Sequence, residues 1–284
     1  MRATASVEVT ADRRILLATT PPVVLRRTGP SQLHLVQAAG GPLGGDQLEL
    51  RLRLAEGTEL TVCTAAATVA QPGVAGAGPA TWTVHAEVGE AARLHWCPEP
   101  TVICDRARLH ASFRLLLADG ASALVREEVQ LGRFGQFGGQ YRGGLAVDYA
   151  GSPLVRHTLR LDGADPGLTG LAGTAGQRMV ATVLGAGAQP PPAGIPAVGE
   201  RDGLRWARHE LPGPGWLLLA LGSRRADLLA LLAGLETFDA RCGPAAGSAQ
   251  QPVEPGDSGL PGLPGDPGRR SEQIEAVETA RPHV

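Results

Sequence analysis

The sequence predicts a mainly β protein, with a stacked-sheet, β-helix-like or sandwich-like architecture and one or two helices near the C-terminus. Three observations predict it. Apolar and polar residues alternate in short runs, which is the period of a half-buried strand. These runs recur roughly every 8 to 12 residues with turn residues between them. No helical period of useful length precedes Gly167.

The clearest strand is Gln47 to Leu54. Leu48, Leu50, Leu52 and Leu54 point one way, and Gln47, Glu49, Arg51 and Arg53 the other. A glycine-rich turn leads into it, Gly40-Gly41-Pro42-Leu43-Gly44-Gly45-Asp46. Its glycines allow positive φ and close backbone approach, and Asp46 can bond its own backbone. After the turn at Ala55-Glu56-Gly57, Leu60, Val62 and Thr64 resume the buried face. Ala65-Ala66-Ala67-Thr68 follows, a run of small residues suited to close backbone contact.

Upstream, Ala5 to Thr10, Arg14 to Thr19 and Leu33 to Gln37 read as short strands, broken by Pro21-Pro22 and Gly29-Pro30. Downstream, Gln71 to Pro79 is a loop and Trp82 to Val88 a strand. Ala92, Leu94 and Trp96 then alternate with Arg93, His95 and Cys97. Pro98-Glu99-Pro100 ends that strand, because proline cannot donate to a ladder. Thr101 to Cys104 is short. Leu109 to Leu117 and Ala123 to Leu131 are strands, followed by a glycine- and aromatic-rich loop from Gly132 to Gly144. Pro153 to Leu161 is the last clear strand of this half. Arg178 to Leu184 and Trp216 to Leu221 follow beyond it. A leucine stripe predicts one helix, about Arg224 to Phe238, with Ser223 as its N-cap. Residues 1–242 therefore read as one β domain. Residues 243–284 are Gly, Pro, Ala, Ser and acid, the composition of a disordered tail.

At 284 residues the chain is long enough for a real core. Aromatics are only 4%, so Leu, Val and Ala must build that core. The net charge is −2 and no lysine occurs, which argues against nucleic acid or an anionic membrane as the main partner. No run of apolar residues is long enough to span a bilayer, and the first twenty residues lack a signal-peptide pattern. The four cysteines, Cys63, Cys97, Cys104 and Cys242, form no regular framework. A cytoplasmic protein with reduced thiols is expected.

Several residues can carry chemistry. The GGPLGGD turn lacks the phosphate-loop pattern and its lysine, and leads into a strand. It reads as a strand-start turn or a backbone surface for protein docking. His95 and Cys97 share a strand face and suit a soft divalent metal if another donor is near. Glu127 and Glu128 are neighbours, so on a strand they point opposite ways. The apolar residues Leu124 and Val129 break parity around them, which predicts a bulge. They are either two solvated acids or one acid turned inward to line a polar cavity. Arg133 stands where a strand enters the glycine-rich loop and can clamp a carboxylate bidentately.

These pieces, in this order, resemble the UreD (UreH) family of urease accessory proteins. The resemblance rests on Gly40-Gly41, Gly44-Gly45-Asp46, Cys63 to Thr68, Leu94-His95-Trp96-Cys97-Pro98, Leu131-Gly132-Arg133 and Pro153-Leu154-Val155, over roughly 15–165. The chain departs from the family's pattern at Ala39, Val69, His95 and Gln136, and the family's usual C-terminal ending is not recognisable. The resemblance implies a non-catalytic scaffold and metallochaperone. Such a protein binds apo-urease, recruits UreF and the GTPase UreG, and passes Ni²⁺ transiently through an internal polar tunnel, with no tightly bound cofactor. Weakly holding oxygen donors suit that task. It points to Gly44, Gly45, Asp46, Thr64, Thr68, Glu99, Glu127 and Arg133 as tunnel lining or partner contacts. Two alternatives stand beside it. A carbohydrate-active β enzyme would need a close carboxylate pair in an aromatic cleft. A non-catalytic β binding domain would need neither.

Overall fold

The computed structural model describes residues 1–187 and 194–232, all within one compact unit, Met1–Pro244. The predicted tail, Cys242 and the predicted helix beyond Leu232 lie outside the described residues. The chain opens with β1 (Arg2–Val9), β2 (Ile15–Ala18), β3 (Val23–Gly29) and β4 (Gln32–Gln37). It then winds through β5 (Gln47–Leu54), β6 (Glu59–Thr64) and β7 (Thr68–Ala70), and next through β8 (Ala80–Val88), β9 (Arg93–Cys97) and β10 (Thr101–Ile103). β11 (Arg108–Leu117), β12 (Ser122–Leu131), β13 (Gln140–Tyr149) and β14 (Ser152–Asp162) follow. The described chain closes with β15 (Met179–Gly187), β16 (Val198–Arg201), β17 (Leu204–Glu210), β18 (Gly215–Gly222) and one helix, α1 (Arg225–Leu232).

Two sheets result. One runs β14-β13-β11-β8-β5-β1-β2, the other β16-β17-β18-β15-β12-β9-β6-β4-β3. Successive turns alternate between them, so β5, β8, β11 and β13 stack parallel in one and β4, β6, β9 and β12 stack parallel in the other. This is the coil of a β-helix. Each turn lays apolar residues on those of the turn before: Leu50, Val84, Phe113 and Leu145 form one such row. All four are buried, and for Leu50 the alternation in Gln47–Leu54 predicts it. Trp96 reaches across from the second sheet and meets Phe113 edge-on, with ring centroids 5.4 Å apart. Antiparallel strands finish the coil: β2 on β1, β3 on β4, β14 on β13, and β15, β18, β17 and β16 beyond β12.

The structure departs from the sequence reading at five places. β13 begins inside the predicted glycine loop. Gly143 is tolerated there because the Tyr141 ring fills the space of its absent side chain, and a Cβ would lie 2.5 Å from Tyr141 Oη. β3 fits between the Pro21-Pro22 and Gly29-Pro30 breaks, and β16 and β17 form a hairpin through the Asp202-Gly203 turn. No bulge interrupts β12 against β15. Leu124 and Val129 are both buried because β12 has a core on each side, so no parity change is needed. The Ser223 hydroxyl bonds the Gln177 side chain instead of capping α1.

The glycine-rich turn does make close backbone contact. Gly41 has φ +96° and a Cβ there would sit 1.9 Å from the Val69 carbonyl oxygen; a Cβ on Gly44 would sit 2.7 Å from the Gly73 nitrogen. Ala65, Ala66 and Ala67 are exposed.

Candidate functional site

The second sheet contains a seam. β6 ends at Thr64 and resumes as β7 at Thr68; one turn later β9 ends at Cys97 and resumes as β10 at Thr101. Pro98 and Pro100 account for the second break, since neither offers an N–H to a ladder. β12 runs straight past both. It pairs with β9 up to Val125 and with β10 from Val129, which leaves Arg126, Glu127 and Glu128 facing the gap.

A cavity of about 30 Å³ occupies the seam, lined by Thr64, Thr68, Pro98, Glu127 and Glu128 among others. That volume holds about two water molecules. Adjacent strand residues face opposite sides of a sheet, so a cavity touching both Glu127 and Glu128 reaches into the thickness of the sheet itself.

On the inner side, Glu127 follows Ala123 and Val125 into the space between the sheets. Burial pushes its carboxyl up to about 7. It lines two cavities, the seam and a neighbouring one of about 10 Å³ shared with Tyr141, His157 and Thr182. Burial raises the Tyr141 hydroxyl well above its ordinary range, and the Glu127 charge adds to this. Burial lowers the His157 imidazole. Its Nε2 is buried with no hydrogen-bond partner among the described residues.

On the outer side, the Glu128 carboxylate has no exposed surface. Arg126 Nε lies 3.0 Å from its Oε1, and Arg225 Nε donates to its Oε2 at 2.9 Å. Burial pushes the Glu128 carboxyl up, and the two guanidiniums hold it back. Arg225, the first residue of α1, also grips Glu99 bidentately, at 2.6 and 3.0 Å. The Glu99 N–H in turn donates to Thr64 Oγ1 at 2.8 Å, so the outer charge cluster and the inner cavity share Thr64. The Thr68 hydroxyl accepts from Gln37 Nε2 at 3.2 Å.

Thr64, Thr68, Glu99 and Glu127 therefore come together. Gly44, Gly45 and Asp46 do not line the seam; that turn reaches it only through Pro42. Asp46 is buried, accepting from the Met1 ammonium at 2.7 Å and the Leu43 N–H at 3.0 Å. Arg133 is exposed. Its loop is fastened by Arg178, whose guanidinium donates to the carbonyls of Leu131, Arg133 and Gln136. His95 and Cys97 are buried on the outer face, where Cys97 lies beside Cys63 in register and packs with Leu124. No three His, Cys, Asp or Glu side chains gather as metal ligands among the described residues. The reading of Glu127 and Glu128 as two solvated acids fails for Glu128, whose side chain has no exposed surface, while Glu127 is half-buried and lines the seam. Arg225, Tyr141 and His157 had no sequence signal, since their neighbours at the site arrive from distant turns, whereas Arg126 lies two residues from Glu128 on one strand face, a pairing the sequence does contain.

Comparison with known proteins explains the motifs. The family model described as UreD urease accessory protein matches residues 12–251. The chain belongs to the UreD family. A UreD urease accessory protein of Parafrankia is 39% identical over 282 residues, covering 89% of this chain and 92% of the relative. One from Frankia alni is 36% identical, over 83% of this chain and 92% of the relative. A third, from Streptomyces griseus and named UreD 3, is 38% identical over 78% of this chain. The match extends well past residue 165, so the C-terminal strands and α1 fall within the UreD family region although their sequence carried no recognisable motif. Among the described residues no helix is long and apolar enough to cross a membrane.

Proposed function

We propose that this UreD protein is a non-catalytic scaffold in cytoplasmic urease maturation that conducts Ni²⁺, as cargo, through the seam in its second sheet. Family membership carries the role in urease maturation. One observation carries the conduit: a cavity inside the coil in which Thr64, Thr68 and carboxylates from both faces of a single strand come together among largely apolar walls. Thr64, Thr68 and Glu127 supply oxygen donors of the kind that bind divalent cations and let them go. Glu127, titrating near 7, can exchange its proton for a cation without leaving a permanent buried charge. Apo-urease, UreF and UreG are the proposed partners. The fully exposed Phe134 and the largely exposed Phe137 fit a surface that a partner covers. Glu127 and Glu128 do share a cavity with Trp82, Trp96 and Tyr141, but at about 30 Å³ it is too small to admit a sugar ring, so a carbohydrate-active enzyme is not favoured.

The test is to mature urease with Glu127→Gln in place of the native chain and measure nickel per active site. The conduit requires a marked loss of nickel while the complex with UreF still forms. Full nickel loading would remove the conduit.

A further inference from the structure

We propose that Arg225 is a built-in stopper on the outer side of the seam, occupying with its guanidinium the place a divalent cation would take between Glu99 and Glu128. This rests on the conduit reading, and it adds where that conduit is closed and by what.

The geometry points to it in three steps. Glu128 has no exposed surface, whereas the Arg225 side chain is 29% exposed and the Glu99 side chain 32%. Arg225 therefore stands between the buried carboxylate and solvent. Its fork spends three donors on these two acids, two on Glu99 and one on Glu128. Two carboxylates converging on one cation is also the arrangement that holds a hard divalent ion. Finally, the charges cancel. Glu99 and Glu128 are balanced by Arg225 and Arg126, so the closed mouth presents no net attraction to a cation. Withdrawing Arg225 leaves a net negative mouth beside the cavity that Glu128 and Glu127 share.

The attachment of Arg225 suits a movable stopper. It is the first residue of an eight-residue helix, packed on the sheet through Leu228, Leu231 and Leu232. A small shift of the first turn would free the fork without unpacking those leucines. A tethered guanidinium competes with free metal at an effective concentration on the order of millimolar, so its removal is felt strongly.

The experiment uses the full chain and Ni²⁺ as the free aquo ion, with binding followed by equilibrium dialysis. Arg225→Gln should bind one further Ni²⁺, or bind it about ten-fold more tightly than the native chain, a change of about 1.4 kcal/mol. Adding Glu128→Gln to that variant should abolish the gain. If Arg225→Gln fails to fold, Arg225→Lys serves. Its ammonium keeps the charge but cannot bridge both acids in fork geometry, so nickel uptake should rise by a smaller factor. A folded variant that loses thermal stability yet takes up no more nickel than the native chain makes Arg225 a structural clamp and overturns the proposal. The outcome is separable from that of the conduit. If Glu127→Gln starves urease of nickel but Arg225→Gln gains none, the conduit stands without its stopper. If Glu127→Gln delivers nickel normally, the conduit itself fails.

Discussion

Replacing Glu127 with Gln should change how stability depends on pH, and the structure sets both the sign and the size. Burial moves the carboxyl from 4.5 to about 7. The folded protein therefore holds a proton across that window which the unfolded chain has released. Stability contributed by the neutral carboxyl is complete at about pH 4, falls as pH rises through the window, and is lost above 7. At about 1.4 kcal/mol per pH unit of separation, the ionised carboxylate costs the fold roughly 3 kcal/mol at about pH 8. Gln is nearly isosteric and never ionises. Urea denaturation of both proteins at about pH 4 and about pH 8 reads the difference. Glu127→Gln should match the native chain at low pH and exceed it by roughly 3 kcal/mol at high pH. His157 acts in the opposite sense, since its lowered affinity for protons makes stability fall as pH drops below its ordinary range. It is present in both proteins and cancels in the comparison, as does Glu128. An equal difference at both pH values would refute the burial argument, and with it the exchangeable charge inside the seam.

Three further outcomes follow from the packing. Trp96→Ala should cost about 3–5 kcal/mol in chemical denaturation, because Trp96 is buried against Phe113 at the centre of the coil. Gly41→Ala should lose at least about 2 kcal/mol and lower the thermal midpoint, because its backbone is left-handed and the new methyl meets the Val69 carbonyl. Asp46→Ala should cost about 1–3 kcal/mol through the unsatisfied Leu43 N–H and Met1 ammonium. Nickel delivered per folded molecule should be unchanged in that variant; a specific nickel defect would bring Asp46 back into the conduit.

What could be read from the chain was what is local. The alternation in Gln47–Leu54 fixes which leucines are buried, because a strand's two faces are encoded in consecutive residues. Pro98-Glu99-Pro100 correctly marks the end of β9. The same signal fails on β12, where a core on each side removes the contrast between faces and makes Glu127 and Glu128 look like solvated acids. Pairing between turns is also hidden: Cys63 meets Cys97, and Val129 meets Thr101, through parallel register that no short window contains. The longest reach is Arg225 to Glu99 and Glu128, where a helix start closes on a gap made by two earlier turns. The small run at Ala65–Ala67 and the proline break each hinted at a discontinuity. Only the coil shows that the two discontinuities are neighbours.

The most direct test of the conduit is to fill it. Thr68→Leu replaces a cavity hydroxyl with a larger apolar group in a space of about 30 Å³, leaving Glu127, Glu128 and Arg225 untouched. Urease matured with this variant, with complex formation checked by size exclusion, should emerge assembled but poor in nickel. Assembled urease with its full nickel content would mean that the metal travels by another route.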